Sequence, residues 1–228
     1  MILRVLTISS FIILLVMGRT LALEKDVLGH AFEGIQEKYG TLSSFTVAYT
    51  REVITRSMVM LGTSVKGDTA KGQIYFKSPD FIRLEQKIPR LEILATDGDI
   101  LWWYIPEKAV AYKYPSKKFG KELSLLANIF QGHTCMGKSF EAEITEIEDE
   151  QGFKLTLKPV PPWEEVDRIV ITLTTGFNIT ALDIYNSIGG ITRFRLDNPI
   201  QVEALNENFF RLTVPEEVKV IPEGFSAP

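Results

Sequence analysis

The sequence predicts a mainly β protein with helices, of the α+β class, whose sheet curls into a barrel or half-barrel. Short alternating or apolar runs recur from residue 45 onwards, and Gly, Pro, Asn and Asp separate them at regular intervals. Two stretches, residues 24–39 and 121–131, have helical periodicity instead. We therefore expect residues 23–228 to form a single domain with one long sheet and two helices.

The first 22 residues are predicted to be a secretory leader rather than part of the fold. Arg4 provides the positive start, residues 5–17 are apolar, and Ala22 is a small residue suited to cleavage. Removal of the leader takes away two arginines and no acid, which changes the formal net charge from −4 to −6 and argues against a nucleic-acid partner. With Cys135 as the single cysteine, the pattern predicts a periplasmic protein without intrachain disulfides.

The first predicted element is a helix over residues 24–39, which Gly40 would end. Its apolar residues recur at intervals of three and four, namely Val27, Leu28, Ala31, Phe32, Ile35 and Tyr39. Residues 45–53 then alternate between large and small or polar side chains, which indicates a strand. Further strands are predicted at 58–65, 72–77, 81–86, 91–96, 100–104, 109–114, 140–147, 152–158, 166–174, 179–185, 191–196 and 209–214.

The second helix, residues 121–131, interrupts the succession of strands. It is amphipathic, with a polar stripe of Lys121, Ser124, Asn128 and Gln131 and a largely apolar remainder. Long insertions in β domains are often lids over a site. We predict a helical lid whose inward face consists of Leu125, Leu126, Ile129 and Phe130.

Side chains suited to catalysis are few. His30 lies at the edge of an apolar stripe, and His133 and Cys135 lie two residues apart in a glycine-flanked turn without an evident third group to orient them. The acidic run at residues 146–150 is typical of a solvated turn rather than of a metal site. The sequence therefore predicts no enzyme activity, no metal and no cofactor.

Residues 96–106, Thr-Asp-Gly-Asp-Ile-Leu-Trp-Trp-Tyr-Ile-Pro, resemble the Ser/Thr-Asp-Gly-x-x-Leu-Trp-x-Tyr-x-Pro signature of the periplasmic outer-membrane lipoprotein carrier (LolA) family. Other segments are also similar to the family and occur along the chain in the family's order, at 44–50, 72–79, 155–159, 183–192 and 210–218. The resemblance implies a half-open antiparallel β barrel with a helical lid over its concave apolar face. It departs from the family at Ser78, where an arginine that holds the lid is common, and at Glu217, where glycine is common.

The resemblance implies a monomeric carrier of acylated lipoproteins. Its partners would be an inner-membrane ABC-type lipoprotein exporter and an outer-membrane lipoprotein acceptor. Two other hypotheses use the same scaffold: a periplasmic carrier of another lipid, such as a glycolipid or phospholipid, and an envelope lipoprotein sensor or interaction module. A lipid hydrolase is a further hypothesis, which lacks a recognisable nucleophile and base.

Alternation along the strands predicts the walls of the acyl cavity. Ile74 and Phe76 share one face of their strand, and Ile82 and Leu84 share one face of the next. Leu101 and Trp103 share a face opposite Trp102 and Tyr104, and polarity alone does not decide which pair faces inwards. The candidate binding residues, walls and lid together, are Ile74, Phe76, Ile82, Leu84, Leu101, Trp103, Leu125, Leu126, Ile129 and Phe130.

Overall fold

The computed structural model describes residues 27–60, 66–116, 121–130, 139–147, 152–203 and 205–222, and the backbone alone at 121–125. Helix α1 is described over residues 27–39, and helices α2 and α3 cover Arg56–Met60 and Lys121–Phe130. The strands are β1 Ser44–Ile54, β2 Asp68–Lys77, β3 Phe81–Ile88, β4 Glu92–Thr96, β5 Ile100–Ile105, β6 Val110–Pro115, β7 Phe140–Ile147, β8 Gly152–Pro159, β9 Val166–Thr174, β10 Ile179–Asn186, β11 Ile191–Leu196, β12 Ile200–Gln201 and β13 Lys219–Pro222. Short 3₁₀ turns lie at Pro106–Lys108 and Glu207–Phe209.

The described strands form one sheet in the order β13-β6-β5-β4-β3-β2-β1-β11-β10-β9-β8-β7, with β12 added beside β1. Neighbouring strands are antiparallel except β13 and β6, which are parallel. The sheet is open and curved, with few helices, so the predicted fold class is confirmed. Its two edges, β7 and β13, do not pair with each other.

The register decides which side chains share the concave face. Phe45 lies opposite Phe76, and Phe76 lies opposite Ile82, so three strands contribute to one row. Helices α1 and α3 pack on this face, because their buried residues, among them Tyr39 and Phe130, belong to the same core as that row. The core therefore lies between the concave face and the two helices.

Most of the predicted elements are confirmed to within a few residues. Strands 140–147, 166–174 and 191–196 have the predicted bounds, and the predicted helix 121–131 is helical over its described part, Lys121–Phe130. The short strands β12 and β13 were not predicted, since neither has more than four residues and so neither shows clear alternation.

One predicted strand, 209–214, is wrong, and strand 58–65 is wrong over residues 58–60, the part that the structure describes. In place of the first part of strand 58–65, the chain forms α2, because Thr55 begins a helical turn: its carbonyl accepts from Val59 N and its hydroxyl from Met58 N. In place of strand 209–214, a 3₁₀ turn begins at Asn206, whose side chain accepts from Asn208 N at 2.9 Å. Phe210 is buried there against other rings rather than within a strand.

Several predictions fall on residues outside the described ranges. These are the leader at residues 1–22, residues 24–26 and 131 of the two predicted helices, and residues 61–65 of the predicted strand 58–65. The turn that contains His133 and Cys135, residues 148–150 of the acidic run and the side chain of Leu125 also lie outside the described ranges. Among the described residues, no helix combines the length and apolarity needed to cross a membrane. Over the same ranges, no three or more His, Cys, Asp or Glu side chains are grouped as metal ligands.

Candidate functional site

A cavity of about 670 Å³ lies on the concave face, beside the part that the helices fill. This volume is within the range of about 300–1,000 Å³ typical of small-molecule sites. Strands β1, β3, β4, β5, β9, β10 and β11 and helix α3 contribute its walls. Its apolar floor is formed by Tyr49, Leu84, Leu94, Leu101, Leu126, Val166, Ile184 and Phe194.

Polar residues border the cavity on one side. We call these residues the polar margin: Arg51, Gln86, Glu164, Glu165, Asn186, Ser187 and Thr192. Successive inward-facing positions on a strand are two residues apart, so Tyr49 is followed by Arg51 on β1 and Leu84 by Gln86 on β3. In both strands the polar residue lies nearer the end of the sheet where β1 ends. The cavity is thus apolar in its interior and polar along one border.

Arg51 is held in the polar margin by a short chain of hydrogen bonds. Its Nη2 donates to Gln86 Oε1 at 2.9 Å, and Gln86 Nε2 donates to the carbonyl oxygen of Arg90 at 3.1 Å. Gln86 is only 4% exposed, so its amide orientation is fixed by these two bonds. Arg51 Nε is buried and has no hydrogen-bond partner. The guanidinium, which borders the cavity, therefore has an N–H donor without a partner in the described structure.

The carboxylate of Glu92, on the strand next to Gln86, is already compensated. Arg90 Nε donates to its Oε1 at 2.7 Å, and Trp103 Nε1 donates to its Oε2 at 3.1 Å. Burial raises the pKa of the Tyr49 hydroxyl above its ordinary value, while Arg51 opposes the shift and Glu92 adds to it. Arg51 and Glu92 therefore both act on Tyr49, although they have separate hydrogen-bond partners.

Of the predicted binding residues, Leu84, Leu101 and Leu126 lie together in the cavity lining. Trp103 is on the same face as Leu101, since it lies opposite Leu94, but its ring stacks on Tyr112 at 5.3 Å in a separate small cluster. The inward-facing pair is thus Leu101 and Trp103, and Leu101 alone of the two reaches the cavity.

The other described candidates belong to the packed core rather than to the cavity lining. Ile74, Phe76 and Ile82 are at most 1% exposed, and Ile129 and Phe130 are at most 2% exposed. As ligand-binding residues, all ten candidates stay a prediction.

Rings hold the end of α3 against the sheet. The Phe130 ring lies 5.0 Å from that of Phe45, 5.7 Å from that of Phe76 and 5.9 Å from that of Tyr39. Ser78, where the family often has arginine, is exposed, and its backbone N–H donates to the carbonyl of Ser43. In this chain, the described contacts of α3 with the sheet are therefore apolar.

Sequence reasoning missed Arg51, Gln86 and the walls from β9 to β11. The alternation of Tyr49, Arg51 and Val53 on a predicted strand was a usable signal for Arg51. The contribution of Ile184 and Phe194 could not be read locally, because it depends on β11 pairing with β1 across more than a hundred residues.

An open antiparallel sheet that curves around an apolar cavity defines a half-barrel. The family model described as outer membrane lipoprotein carrier protein LolA matches residues 58–213. That range is more than half of the chain, and the chain belongs to this family. The resemblance found in the sequence motifs is thereby confirmed.

Several solved structures are similar in fold. An uncharacterized conserved protein from Thermus thermophilus is 9% identical, with 86% of this chain and 99% of that chain covered and a TM-score of 0.49. A LolA superfamily protein from Nitrosomonas europaea is 12% identical, with coverages of 80% and 96% and a TM-score of 0.44. The Mycobacterium tuberculosis lipoprotein LppX is 8% identical, with coverages of 79% and 99% and a TM-score of 0.42. The search of curated proteins finds no match.

Proposed function

We propose that this protein is a periplasmic carrier that binds the acyl chains of lipoproteins in the cavity. It would take them from an inner-membrane exporter and deliver them to an outer-membrane acceptor. The observation that carries the proposal is the apolar cavity on the concave face of a chain that belongs to the lipoprotein carrier family.

The energetics of acyl transfer explain why such a cavity is needed. An acyl chain with about fourteen methylenes costs on the order of 11 kcal/mol to expose to water, at about 0.8 kcal/mol each. Leucine, isoleucine and aromatic side chains in the floor replace water around the chain. No bond has to be made or broken, so the function requires binding and release alone.

Helix α3 is placed to respond to the cargo. Leu126 borders the cavity, while Ala127, Ile129 and Phe130 are buried in the core beside it. An entering acyl chain would compete with Leu126 for the floor and move the start of the helix, while the ring contacts of Phe130 hold its end. In this proposal α3 acts as the lid and limits how tightly the cargo is held.

Exposed apolar side chains lie in or next to the connections at the end of the sheet where β1 ends. They are Val59, Met60, Ile88, Leu91, Val160 and Ile188, with exposures between 43% and 77%. Ile188 also borders the cavity. A carrier that transfers a chain without exposing it to water needs an apolar surface next to its opening, and these residues would supply it.

Native mass spectrometry of the protein purified from the periplasm, followed by extraction and intact-mass analysis of bound molecules, tests the proposal. A lipoprotein bound one to one is the expected result. The variant Leu101→Trp is the matched control. Its larger side chain reduces the volume of the cavity, so it should retain less cargo. An empty wild-type protein that also fails to take up an acylated peptide would contradict the proposal and favour a sensor or interaction module.

A further inference from the structure

We propose that Arg51 makes the cavity selective for an amphiphile with an anionic group. The carboxylate or phosphate of the cargo would lie against the Arg51 guanidinium, and the acyl chain would occupy the apolar floor. This inference rests on the proposed function, because it requires that the cavity takes acyl chains.

Arg51 places a positive charge beside the apolar cavity. Among the described residues, no carboxylate oxygen forms an ion pair with Arg51, and its one side-chain partner is the neutral amide of Gln86. A cation beside an apolar cavity is costly unless an anion or several hydrogen bonds compensate it. The cargo is the missing source of that compensation.

The neighbouring carboxylates are engaged or distant. Glu92 is bound by Arg90 and Trp103, as described above. Glu52 faces the other side of β1, where it accepts from Gly67 N at 3.1 Å and lies 3.8 Å from Arg193. Glu164 and Glu165 border the same cavity but are exposed to solvent and form no ion pair with Arg51 in the described structure. Arg51 is therefore available to an anion that enters the cavity.

Arg51 also lies at the edge of the apolar floor. Arg51 is one inward-facing step beyond Tyr49, and its partner Gln86 is one step beyond Leu84, so the cation borders the floor instead of lying within it. An amphiphile whose chain rests on Leu84 and Leu101 would present its polar end at this border. Guanidinium binds carboxylate and phosphate through paired N–H donors, and Gln86 occupies a single nitrogen of Arg51.

The test compares two ligands with the same acyl chain, the anion palmitate and the neutral monopalmitoylglycerol. Calorimetric titration of the delipidated wild type should show at least about tenfold tighter binding of palmitate, as expected for a charge-assisted contact. Arg51→Gln should lose this preference and bind the two ligands with similar affinities. Arg51→Lys should keep part of the preference.

Arg195→Gln is the matched control. It removes the same charge, but Arg195 is an exposed residue paired with Asp183 at 2.6 Å, away from the cavity lining. Its preference for palmitate should equal that of the wild type. Loss of the preference in this variant would show that net charge, rather than Arg51, determines it, and would overturn the inference.

A measurement on the wild type alone does not depend on whether the variants fold. The carboxyl carbon of bound, carbon-13-labelled palmitate should titrate at lower pH than an ordinary carboxyl group, because a nearby cation favours the ionised form. An unshifted or raised pKa of the bound carboxyl would contradict the contact with Arg51.

A second pair of ligands shows whether the anionic group belongs to a lipoprotein or to a free lipid. Palmitoylated peptides with Asp or Asn beside the acylated residue test whether the acidic group can belong to a lipoprotein. Preference for the Asp peptide supports that source, and preference for palmitate alone supports a free lipid. Equal affinities in both ligand pairs would overturn the inference but leave the carrier function intact, whereas binding of none of these ligands would contradict both.

Discussion

The concave face contains two regions that are built from the same strands and differ in their function. In the filled region, Phe45 and Phe76 contact rings of α1 and α3, and Ile82 is buried in the same core. In the open region, Leu84 and Leu101 continue the same strands but face the cavity. Both regions use the same residue types and the same alternation. The difference lies in helix coverage, which makes one region a core and leaves the other as a cavity.

Ile82 and Leu84 give the sharpest test of this difference, because they are two residues apart on the same face of β3. Ile82→Ala should destabilise the protein by about 4 kcal/mol, since it opens a cavity in close packing. Leu84→Ala should cost only about 2 kcal/mol, because the site already borders empty space. Chemical denaturation of both variants measures the free energies of unfolding. Equal losses would mean that the cavity is closed in solution.

Tyr39 tests how far the filled region depends on a single polar contact. Its hydroxyl accepts a hydrogen bond from the buried Ile179 N–H at 2.9 Å. Tyr39→Phe leaves that donor without a partner and should cost about 1–3 kcal/mol in a denaturation experiment. Tyr104→Phe, on the convex face, is the control and should change stability less. If Tyr39→Phe leaves the free energy of unfolding unchanged, water replaces the hydroxyl and the region is less tightly packed.

Leu101→Trp tests the open region. The larger indole should displace about two methylenes of a bound acyl chain, or about 1.6 kcal/mol, which lowers affinity by roughly tenfold. Binding of a fluorescent fatty acid measures this loss, while the denaturation midpoint should stay near that of the wild type because the larger ring can extend into the cavity instead of into packed core. Unchanged affinity would place the acyl chain elsewhere.

The smallest expected effect is the response of the filled region to alkaline pH. Burial raises the pKa of the Tyr39 hydroxyl above its ordinary 10.0, and the hydrogen bond from Ile179 opposes the shift. The unfolded chain therefore ionises first, so stability that is present below pH 10 is lost as the pH rises through the folded-state pKa. Denaturation at about pH 8 and about pH 11 should show a loss that is smaller in Tyr39→Phe. An equal loss in that variant would assign the effect to other groups.

The fold could be predicted from the sequence largely because alternation is a local property. Strands such as 140–147 and 166–174 have clear period-two patterns, and their bounds were predicted correctly. The turn at Asn206 and the helix after Thr55 depend on side-chain caps next to apolar residues, which a strand pattern also fits. Hydrophobicity alone therefore failed where a capping bond decides the local structure.

The site could be predicted from the sequence less well than the fold. Ile82 and Leu84 are equivalent in sequence, since each is a branched apolar residue on the inward face of one strand. Only the position of α1 and α3 decides that one is packed and the other borders the cavity. Arg51 was overlooked for a related reason: a charged residue on a strand normally faces solvent, and its inward orientation follows from the register with Phe194 and Ala70.

The open sheet also affects how the protein behaves at high concentration. Strand β7 is an edge, and its backbone donors and acceptors on the side away from β8 have no neighbouring strand in the described part of the chain. Such an edge can template pairing with another molecule and start aggregation. Glu141, Glu143 and Glu146 are exposed along β7 and would repel an identical strand. The acidic residues of β7 thus oppose the pairing of two such edges, which the open sheet would otherwise allow.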